Sequence, residues 1–262
     1  MKLRPLLSVS LVALACFSRP AQAQEPLAID RATSDGVDRP IHDFSGEGDA
    51  SSLELNPALL LGAPGLDMVI MGYRALSPYT RGTGFGGFMS LNTGLGIAAG
   101  FGLQVLRPQF THGVTDVDPI GNPNLTKLSF GIASGSGKVA AVGFGVHGLY
   151  GAGQWVRPPD LDFGILIRMR RWASLGGTLR LGPADMGSGL ANYGRPELNL
   201  YGELALRPLG TRMLEIAGGV RTRFSADGVT RPQESLLNLG VFPRGRLALR
   251  YQGIEVAGEV EQ

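Results

Sequence analysis

From Leu66 onward the chain divides into segments of about ten residues in which apolar and polar side chains alternate. Between residues 198 and 206, for example, every second residue is leucine or glycine, and Asn199 and Glu203 lie between them. A period of two predicts β-strands, because successive side chains of a strand point to opposite faces of the sheet. No segment beyond the N-terminal region is apolar over the roughly 18 residues that a membrane helix needs. A membrane-embedded form of this chain therefore has to be a closed β-barrel.

The alternating segments predict twelve strands, and most of them are long. Roughly 9–11 residues cross a bilayer at a tilt, whereas strands of soluble proteins average about five or six. The weakest strand patterns are those of 83–91 and 94–106, which are rich in glycine and fit tightly curved strands or a crowded interior. The predicted strands are 66–75, 83–91, 94–106, 125–134, 139–151, 161–169, 174–182, 197–208, 214–224, 236–242, 246–251 and 254–261.

The connections between these strands alternate in length. In order they are 76–82, 92–93, 107–124, 135–138, 152–160, 170–173, 183–196, 209–213, 225–235, 243–245 and 252–253. Long and short alternate through the first ten, as in outer-membrane barrels with long outer loops and short periplasmic turns. The last connection is short where a long one is expected. Turn-forming residues occupy three short connections, at Asn92-Thr93-Gly94, Gly135-Ser136-Gly137-Lys138 and Pro243-Arg244-Gly245.

The fold class predicted from these features is all-β, an antiparallel up-and-down transmembrane β-barrel of 12 strands, or of up to 14. Trp155 and Trp172 flank the predicted strand 161–169 at opposite ends. Tyr73, Tyr150, Phe224 and Tyr251 also lie near strand ends. Interfacial aromatic girdles have this arrangement, and so does ordinary packing at strand ends.

The N-terminus has the pattern of a secretory signal peptide. Lys2 and Arg4 precede an apolar run over 6–17, and Ala21-Gln22-Ala23 has the small residues of a cleavage site. Lipidation of Cys16 is the competing interpretation. The predicted organisation is therefore a signal peptide over 1–23, an N-terminal plug segment over 24–65 and the barrel over 66–262. An exported barrel is expected in the bacterial outer membrane, with membrane lipid and the barrel-assembly machinery as partners.

Charge and composition disfavour several other functions. Without Lys2, Arg4 and Arg19 the chain has 21 basic and 22 acidic residues, so nucleic acid is not a favoured partner. The only cysteine, Cys16, lies inside the predicted signal, which leaves no thiol for a disulfide or for catalysis. The three histidines, His42, His112 and His147, are too widely spaced to predict a metal site.

No motif in the chain predicts catalysis or a cofactor. Residues 82–87 match G-x-G-x-x-G, but a strand pattern follows them where a dinucleotide site needs a helix. The segment Asp116-Val117-Asp118 with Gly121-Asn122 has Ile120 at a ligand position of the calcium-loop pattern, which favours a solvated acidic loop. No convergent nucleophile, base or metal set is recognisable, so we predict neither catalytic residues nor a metal or cofactor.

The segment before the first strand contains Asp49-Ala50-Ser51, followed by Asn56-Pro57-Ala58. It resembles the N-terminal motif of long-chain fatty-acid transporter (FadL-type) outer-membrane proteins and their PorV-like relatives. Leu59 stands where that motif has glycine. Ser51 or Ser52 can cap a short helix, and Asn56-Pro57 breaks it or starts another. The resemblance implies a hatch inside the lumen, with Asp49, Ser51, Asn56 and Pro57 as its marker residues; a helix capping the periplasmic end is the alternative.

Charged side chains share the polar face of several predicted strands, and in a barrel this face lines the lumen. They can form a channel lining that sets selectivity, or a structural network that fills a narrow barrel. His147 belongs to the same face. The candidates for the lumen lining are Arg168, Arg180, Glu203, Arg207, Glu215, Arg221, Arg223 and Arg250.

Three functions remain open at this point. The resemblance implies a barrel that binds or transports hydrophobic small molecules such as fatty acids. A PorV-like relative would instead act as a membrane anchor or as a partner in secretion and assembly. The third alternative is a soluble secreted β-sandwich that binds a ligand, because alternation alone does not tell which face is buried.

Overall fold

The computed structural model describes residues 44–63, 65–76, 81–109, 124–151, 154–155, 159–169, 171–183, 196–211, 213–225, 238–251 and 254–261. Two 3-10 helices come first, at Ala50–Glu54 and Pro57–Gly62. No helix among these residues is long and apolar enough to span a bilayer. The strands are β1 (Leu66–Leu76), β2 (Arg81–Asn92), β3 (Ile97–Gln109), β4 (Leu125–Ser136), β5 (Ala140–Gly151), β6 (Gln154–Trp155), β7 (Asp160–Met169), β8 (Ala173–Pro183), β9 (Pro196–Leu206), β10 (Leu214–Ser225), β11 (Asn238–Tyr251) and β12 (Ile254–Glu261).

All strands belong to one antiparallel sheet in which each long strand pairs with the next one along the chain. The two-residue strand β6 is the exception, because it pairs with β5 beside the main path. The predicted all-β, up-and-down architecture is thereby confirmed. Eleven long strands alternate in direction, so β1 and β12 run the same way. No register joins these two edge strands within the described part of the chain, and the sheet is open between them.

The prediction was wrong near the C-terminus. The predicted strands 236–242 and 246–251 are one continuous strand, β11, so Pro243-Arg244-Gly245 is not a turn. The register of β12 with β11 begins at Arg244, paired with Glu261, so Pro243 has a neighbouring strand only on the β10 side. A strand tolerates proline there, because no ladder hydrogen bond is needed from its missing N–H. The total of twelve strands agrees with the prediction only because β6, which was not predicted, replaces the lost one.

This correction brings the last connection into the alternation, and only 77–80, which is as short as 93–96, departs from it. The short turns, at 93–96, 137–139, 170–172, 207–213 and 252–253, now all follow strands that run in the same direction. They lie together at one end of the sheet, which we call the short-turn end. The connections at 77–80, 110–124, 152–159, 184–195 and 226–237 belong to the opposite end, which we call the long-connection end. The last connection, 252–253, is therefore short because it belongs to the short-turn end.

The two faces of the sheet have an inverted distribution of side chains. In β4, Lys127 and Ser129 are buried, whereas Phe130 is 53% exposed and Ile132 is 48% exposed. The same alternation runs along β7, where Asp162 is buried and Phe163 is exposed. A soluble β-sandwich requires the reverse, with an apolar face inside and a polar face in water. The third alternative from the sequence therefore does not fit the arrangement of the chain.

The buried core of the molecule lies on the polar face, around residues 44–63, which we call the inner segment. Both 3-10 helices are wholly or almost wholly buried and contact β1 to β5, and the second also contacts β7. Hydrogen bonds join the inner segment to β8 and β9, and Phe44 contacts Arg244 of β11. Strands from β1 to β11 thus curve around the inner segment, and residues facing it are called inward-facing below.

Candidate functional site

The inner segment owes its shape to two helix caps. Asp49 is the N-cap of the first helix: its carboxylate accepts hydrogen bonds from the Ser51 N–H (2.8 Å) and the Ser51 hydroxyl (2.6 Å). Ser52 completes the capping box, because its hydroxyl oxygen accepts from the Asp49 N–H at 3.0 Å. The prediction that Ser51 or Ser52 is the cap is corrected here, since aspartate provides the charged acceptor at the helix start.

Asn56 joins the second helix to the wall. Its side-chain oxygen accepts from the Ala58 N–H (3.1 Å), which caps the helix, and Pro57 occupies the first turn. The Asn56 amide donates to the Phe44 carbonyl at 2.7 Å and to the Ile165 carbonyl of β7 at 2.9 Å. The Asn56-Pro57 pair therefore starts a second helix, one of the two predicted outcomes, and also anchors it to the sheet.

The second helix lies against strands whose inward-facing positions are glycine. A Cβ on Gly164 of β7 would lie 2.2 Å from the Asn56 side-chain oxygen, and one on Gly143 of β5 would lie 2.4 Å from the Ala58 nitrogen. Leu53 of the first helix likewise occupies the space above Gly131, with 2.4 Å to a Cβ there. These glycines allow the close approach of the helices to the sheet, which accounts for glycine at these three inward-facing positions.

Glu54 is the most enclosed charge of the inner segment. One carboxylate oxygen lies 2.5 Å from the Lys127 ammonium of β4, and the other accepts a short hydrogen bond from the Ser129 hydroxyl. The His147 ring of β5 lies 3.7 Å from the same carboxylate. A carboxylate without solvent needs such partners, because burial of an unpaired charge costs several kcal/mol, on the order of the pair's own attraction.

His147 connects the groups around Glu54 to the next strand of the sheet. Its Nδ1 lies 2.9 Å from the Ser129 oxygen, and its Nε2 lies 3.1 Å from Asp162 of β7. Arg180 of β8 grips the same Asp162 carboxylate, with Nε at 2.7 Å and Nη2 at 2.5 Å, and donates to the Glu54 carbonyl at 2.7 Å. Five side chains from five elements thus form one buried network, which we call the Glu54 cluster: Glu54, Lys127, His147, Asp162 and Arg180.

Ser129, His147 and Asp162 stand in the order of a serine-hydrolase triad, but the arrangement has a different use. The Ser129 hydroxyl donates to Glu54, so its proton is not directed at the histidine. Ser129 is also 1% exposed beneath the inner segment. The three residues therefore join β4, β5 and β7 to the inner segment through Glu54.

The charges around Glu54 control its protonation. Burial by itself raises the pKa of the Glu54 carboxyl, but the nearby charges of Lys127 and His147 outweigh it. The pKa of Glu54 is therefore held well below its usual range.

We expect a pH dependence of stability from this shift. The contribution of Glu54 is complete above about pH 4.3, the usual glutamate pKa in an unfolded chain. It is lost as the pH falls toward the lowered pKa of the folded state, because only the unfolded chain takes up the proton in that window. The loss is at most about 1.4 kcal/mol per pH unit. Urea midpoints measured in detergent from pH 7 to pH 3 should fall less steeply for Glu54→Gln, and equal slopes would contradict the assignment.

A second cluster holds the beginning of the inner segment at the short-turn end. Glu47 lies 2.9 Å from Arg168 of β7 and 3.3 Å from Arg207, which follows β9. Arg207 also pairs with Glu215 of β10 at 2.8 Å, and Glu215 accepts a further short hydrogen bond from Arg246 of β11. We call these five residues the Glu47 cluster.

Glu203 of β9 anchors the first described residues of the chain. One of its carboxylate oxygens accepts from the Phe44 N–H (3.0 Å), the Ser45 N–H (3.2 Å) and the Ser45 hydroxyl (2.8 Å). The Phe44 ring stacks on the Tyr201 ring with 4.9 Å between the ring centroids, and the Arg244 guanidinium lies 4.7 Å from the centroid of the Phe44 ring. The inner segment is thus tied to the wall at its start, middle and end, where Asn92 donates to the Leu61 carbonyl at 2.9 Å.

Most of the predicted lumen-lining residues do face inward. Arg168, Arg180, Glu203, Arg207 and Glu215 contact the inner segment or each other through the bonds given above, and Arg221 is half-buried. The side chains of Arg223 and Arg250 lie outside the described residues. Sequence reasoning missed Glu47, Glu54 and Lys127. Lys127 follows the inward parity of β4 and was detectable, whereas nothing in the sequence pairs it with Glu54.

The two tryptophans lie at opposite ends of the wall and are exposed. Trp155 of β6 is at the long-connection end and packs edge-on against Tyr150 at 5.7 Å. Trp172 lies in the turn at 170–172, at the short-turn end, and its ring is 5.1 Å from the Arg171 guanidinium. The side chains of Tyr73, Phe224 and Tyr251 are outside the described set.

Comparisons with family models, with curated proteins and with solved structures found no match for this chain. Among the described residues, no group of three or more His, Cys, Asp or Glu side chains is arranged to hold a metal ion. Within the described residues the arrangement defines an all-β protein in which an antiparallel sheet curves around a filled, charged interior.

Proposed function

We propose that this chain is a β-barrel of the bacterial outer membrane and that the inner segment plugs its lumen. The distribution of side chains across the sheet carries the proposal: Phe130 is 53% exposed, whereas Lys127, three residues away, has a side chain that is only 4% exposed. In lipid the exposed apolar face is covered and the charged face is inside, as in known outer-membrane barrels. In water the same arrangement leaves an apolar surface far larger than the patches that soluble monomers tolerate.

Within this proposal the barrel binds or passes hydrophobic small molecules such as fatty acids. The support is the resemblance of Asp49-Ala50-Ser51 and Asn56-Pro57-Ala58 to the FadL-type motif, whose segment is a hatch. In the present chain the caps formed by Asp49 and Asn56 shape the segment that fills the concave side of the sheet. The proposal therefore assigns these residues to the plug and no residue to covalent chemistry.

One observation favours the alternative of an anchor or secretion partner. Buried ion pairs hold the inner segment in two places, at Glu47 and at Glu54. Breaking a buried pair costs about 3–5 kcal/mol, so a plug held in this way opens rarely. A permanently closed barrel serves as a membrane anchor without transport.

Cell fractionation tests the shared part of the proposal. Outer membranes from cells expressing the full chain should contain the protein, and detergent extraction should be needed to release it. Unboiled samples should migrate faster in gel electrophoresis than boiled samples, because folded barrels resist unfolding in detergent. A protein recovered from the soluble periplasm without a heat-dependent shift would contradict the barrel.

Uptake of labelled fatty acid then separates the two functions. Cells with the protein should accumulate the label faster than cells without it if the barrel transports. Equal rates, together with a heat-modifiable protein in the outer membrane, would favour the anchor.

Phe130→Arg tests which solvent covers the outward face. At the middle of a bilayer an outward arginine costs about 2–4 kcal/mol, whereas near the interfaces it costs about 0–1. We expect Phe130→Arg to lower the unfolding free energy in lipid vesicles by the larger amount. Leu95→Arg, in the turn at 93–96, is the control and should change it little. An unchanged stability of Phe130→Arg would indicate that this face is in water.

The directions of the two edge strands decide how the sheet can close into a barrel. Since β1 and β12 run the same way, direct pairing between them is parallel and gives a barrel of eleven crossing strands, instead of the usual even number. Open edges in lipid leave backbone groups without partners, which favours closure. We therefore expect a cysteine at Ile70 to form a disulfide with a cysteine at one position within 254–261. Ile70 and Gly87 are register partners, so a pair of cysteines at these two positions is the positive control. If the control pair forms a disulfide and no cysteine in β12 does so with position 70, closure is contradicted.

A further inference from the structure

The short-turn end presents apolar side chains where a water-exposed rim would be polar. Leu95 is 88% exposed, Val139 62%, Leu209 57% and Trp172 47%, and each lies in a different short turn. Leu95 stands between Gly94 and Gly96, whose φ values of 76° and 82° are left-handed conformations that favour glycine. The backbone of that turn therefore displays a leucine between two residues that have no side chain of their own.

Hydrogen bonds join these turns into a continuous rim. The Gly96 carbonyl of the first turn accepts from Gly135 at the end of β4. The Val139 carbonyl accepts from Arg168 at 2.8 Å, and the Trp172 carbonyl accepts from Arg207 at 2.8 Å. A Cβ on Gly210 would lie 3.1 Å from the Trp172 ring, so the turns at 170–172 and 207–213 are also in contact. The apolar side chains thus form one edge and are not scattered.

The rim is also positively charged. Lys138 is exposed beside Val139, and Arg171 is exposed beside Trp172, with its guanidinium 5.1 Å from the indole ring. The sequences of all five short turns contain no aspartate or glutamate, and they include Arg170 and Arg212 in addition. The connections at the opposite end contain five acidic residues, Asp116, Asp118, Asp185, Asp227 and Glu234, together with three arginines, Arg157, Arg195 and Arg231. The short turns are therefore purely basic, whereas the connections at the opposite end have mixed charge.

We propose that the short-turn rim, formed by Leu95, Lys138, Val139, Arg171, Trp172 and Leu209, sits in the membrane interface and binds the headgroups of anionic phospholipids. This inference rests on the proposed membrane location and adds a lipid class and a leaflet contact to it. The apolar side chains enter the boundary between headgroups and acyl chains, and the basic ones reach the phosphates. The apolar outward face continues from the strands into these turns, at Ile167 and Leu206 for example, so the same lipid covers both. A basic side chain near an anionic surface favours the anionic headgroup by about fivefold.

The two tryptophans allow a direct test. In Trp155→Phe the indole of Trp172 is the only one, and in Trp172→Phe only that of Trp155 remains. Each protein is reconstituted into vesicles with a fixed ratio of zwitterionic phosphatidylcholine to anionic phosphatidylglycerol, and bromine, which quenches tryptophan, is placed on one lipid or the other. We expect Trp172 to be quenched severalfold more efficiently, per brominated lipid, by phosphatidylglycerol. The double variant Lys138→Gln/Arg171→Gln should bring the ratio close to one.

The matched control removes two basic side chains at the other end of the wall. Arg74 and Arg107 are exposed near the long-connection ends of β1 and β3, so Arg74→Gln/Arg107→Gln should leave the Trp172 ratio unchanged. Equal quenching of Trp172 by the two lipids would overturn the inference while leaving the barrel intact. Quenching of Trp155 without quenching of Trp172 would also overturn it, because the rim would then lie outside the lipid as a surface for a protein. If neither indole is quenched, the proposed membrane location itself fails.

Discussion

Glu54→Ala is expected to destabilise the protein by about 3–5 kcal/mol, the usual cost of removing one partner of a buried ion pair. The substitution takes away the carboxylate that lies 2.5 Å from the Lys127 ammonium and accepts the Ser129 hydroxyl. The Lys127 side chain is 4% exposed and Ser129 is 1% exposed, so water does not replace the lost partner in the folded state. The effect should appear as a lower midpoint of urea unfolding in detergent, monitored by tryptophan fluorescence.

Glu54→Gln separates the charge from the volume of this side chain. The amide keeps the size of glutamate and an oxygen that can accept from Ser129, but it has no charge to offset Lys127. We expect the unfolding free energy of Glu54→Gln to lie between those of the wild type and Glu54→Ala. If the alanine variant unfolds within about 0.5 kcal/mol of the wild type, as ordinary surface substitutions do, the Glu54 cluster does not hold the inner segment.

Gly164→Ala is expected to displace the inner segment by steric conflict alone. The added methyl carbon would lie 2.2 Å from the Asn56 side-chain oxygen and 2.9 Å from Pro57. Overpacking of this kind costs about 1–3 kcal/mol, and a displaced Asn56 loses buried hydrogen bonds worth about another 1–3 kcal/mol. The change should lower the urea midpoint and increase ion conductance across planar bilayers, since a loosened plug leaves the lumen less filled.

Gly218→Ala is the matched control for this variant. Gly218 lies in β10 on the outward face, and a Cβ there would meet no atom within 4 Å. The same change of residue should therefore leave stability and conductance close to those of the wild type. If Gly164→Ala behaves like Gly218→Ala, the close approach of helix and sheet is not a constraint in the folded protein.

Several features of this protein were determined locally and could be derived from the sequence. A period of two places residues of the same parity on one face, so Arg168, Arg180 and Glu203 were correctly assigned to a common polar face. The order of long and short connections predicted an up-and-down sheet. The prediction divided β11 into two strands at Pro243, because proline and glycine together resemble a turn. Proline and glycine mark turns in most contexts, but at an edge position they are compatible with a strand.

The partners within the site were decided only by the tertiary structure. Parity does not reveal that Glu54 lies against Lys127, or Glu47 against Arg168, because residues far apart in sequence meet only when the sheet curves around the inner segment. Whether a position requires glycine also depends on the tertiary structure. Gly164 and Gly218 both lie within strand patterns in the sequence, but of the two only Gly164 lies under Asn56. The sequence alone thus determined which side chains share a face, through the geometry of single strands. The curvature of the sheet decided which face is inside and which charges neutralise one another there, because buried charges require partners that only the folded wall brings within reach.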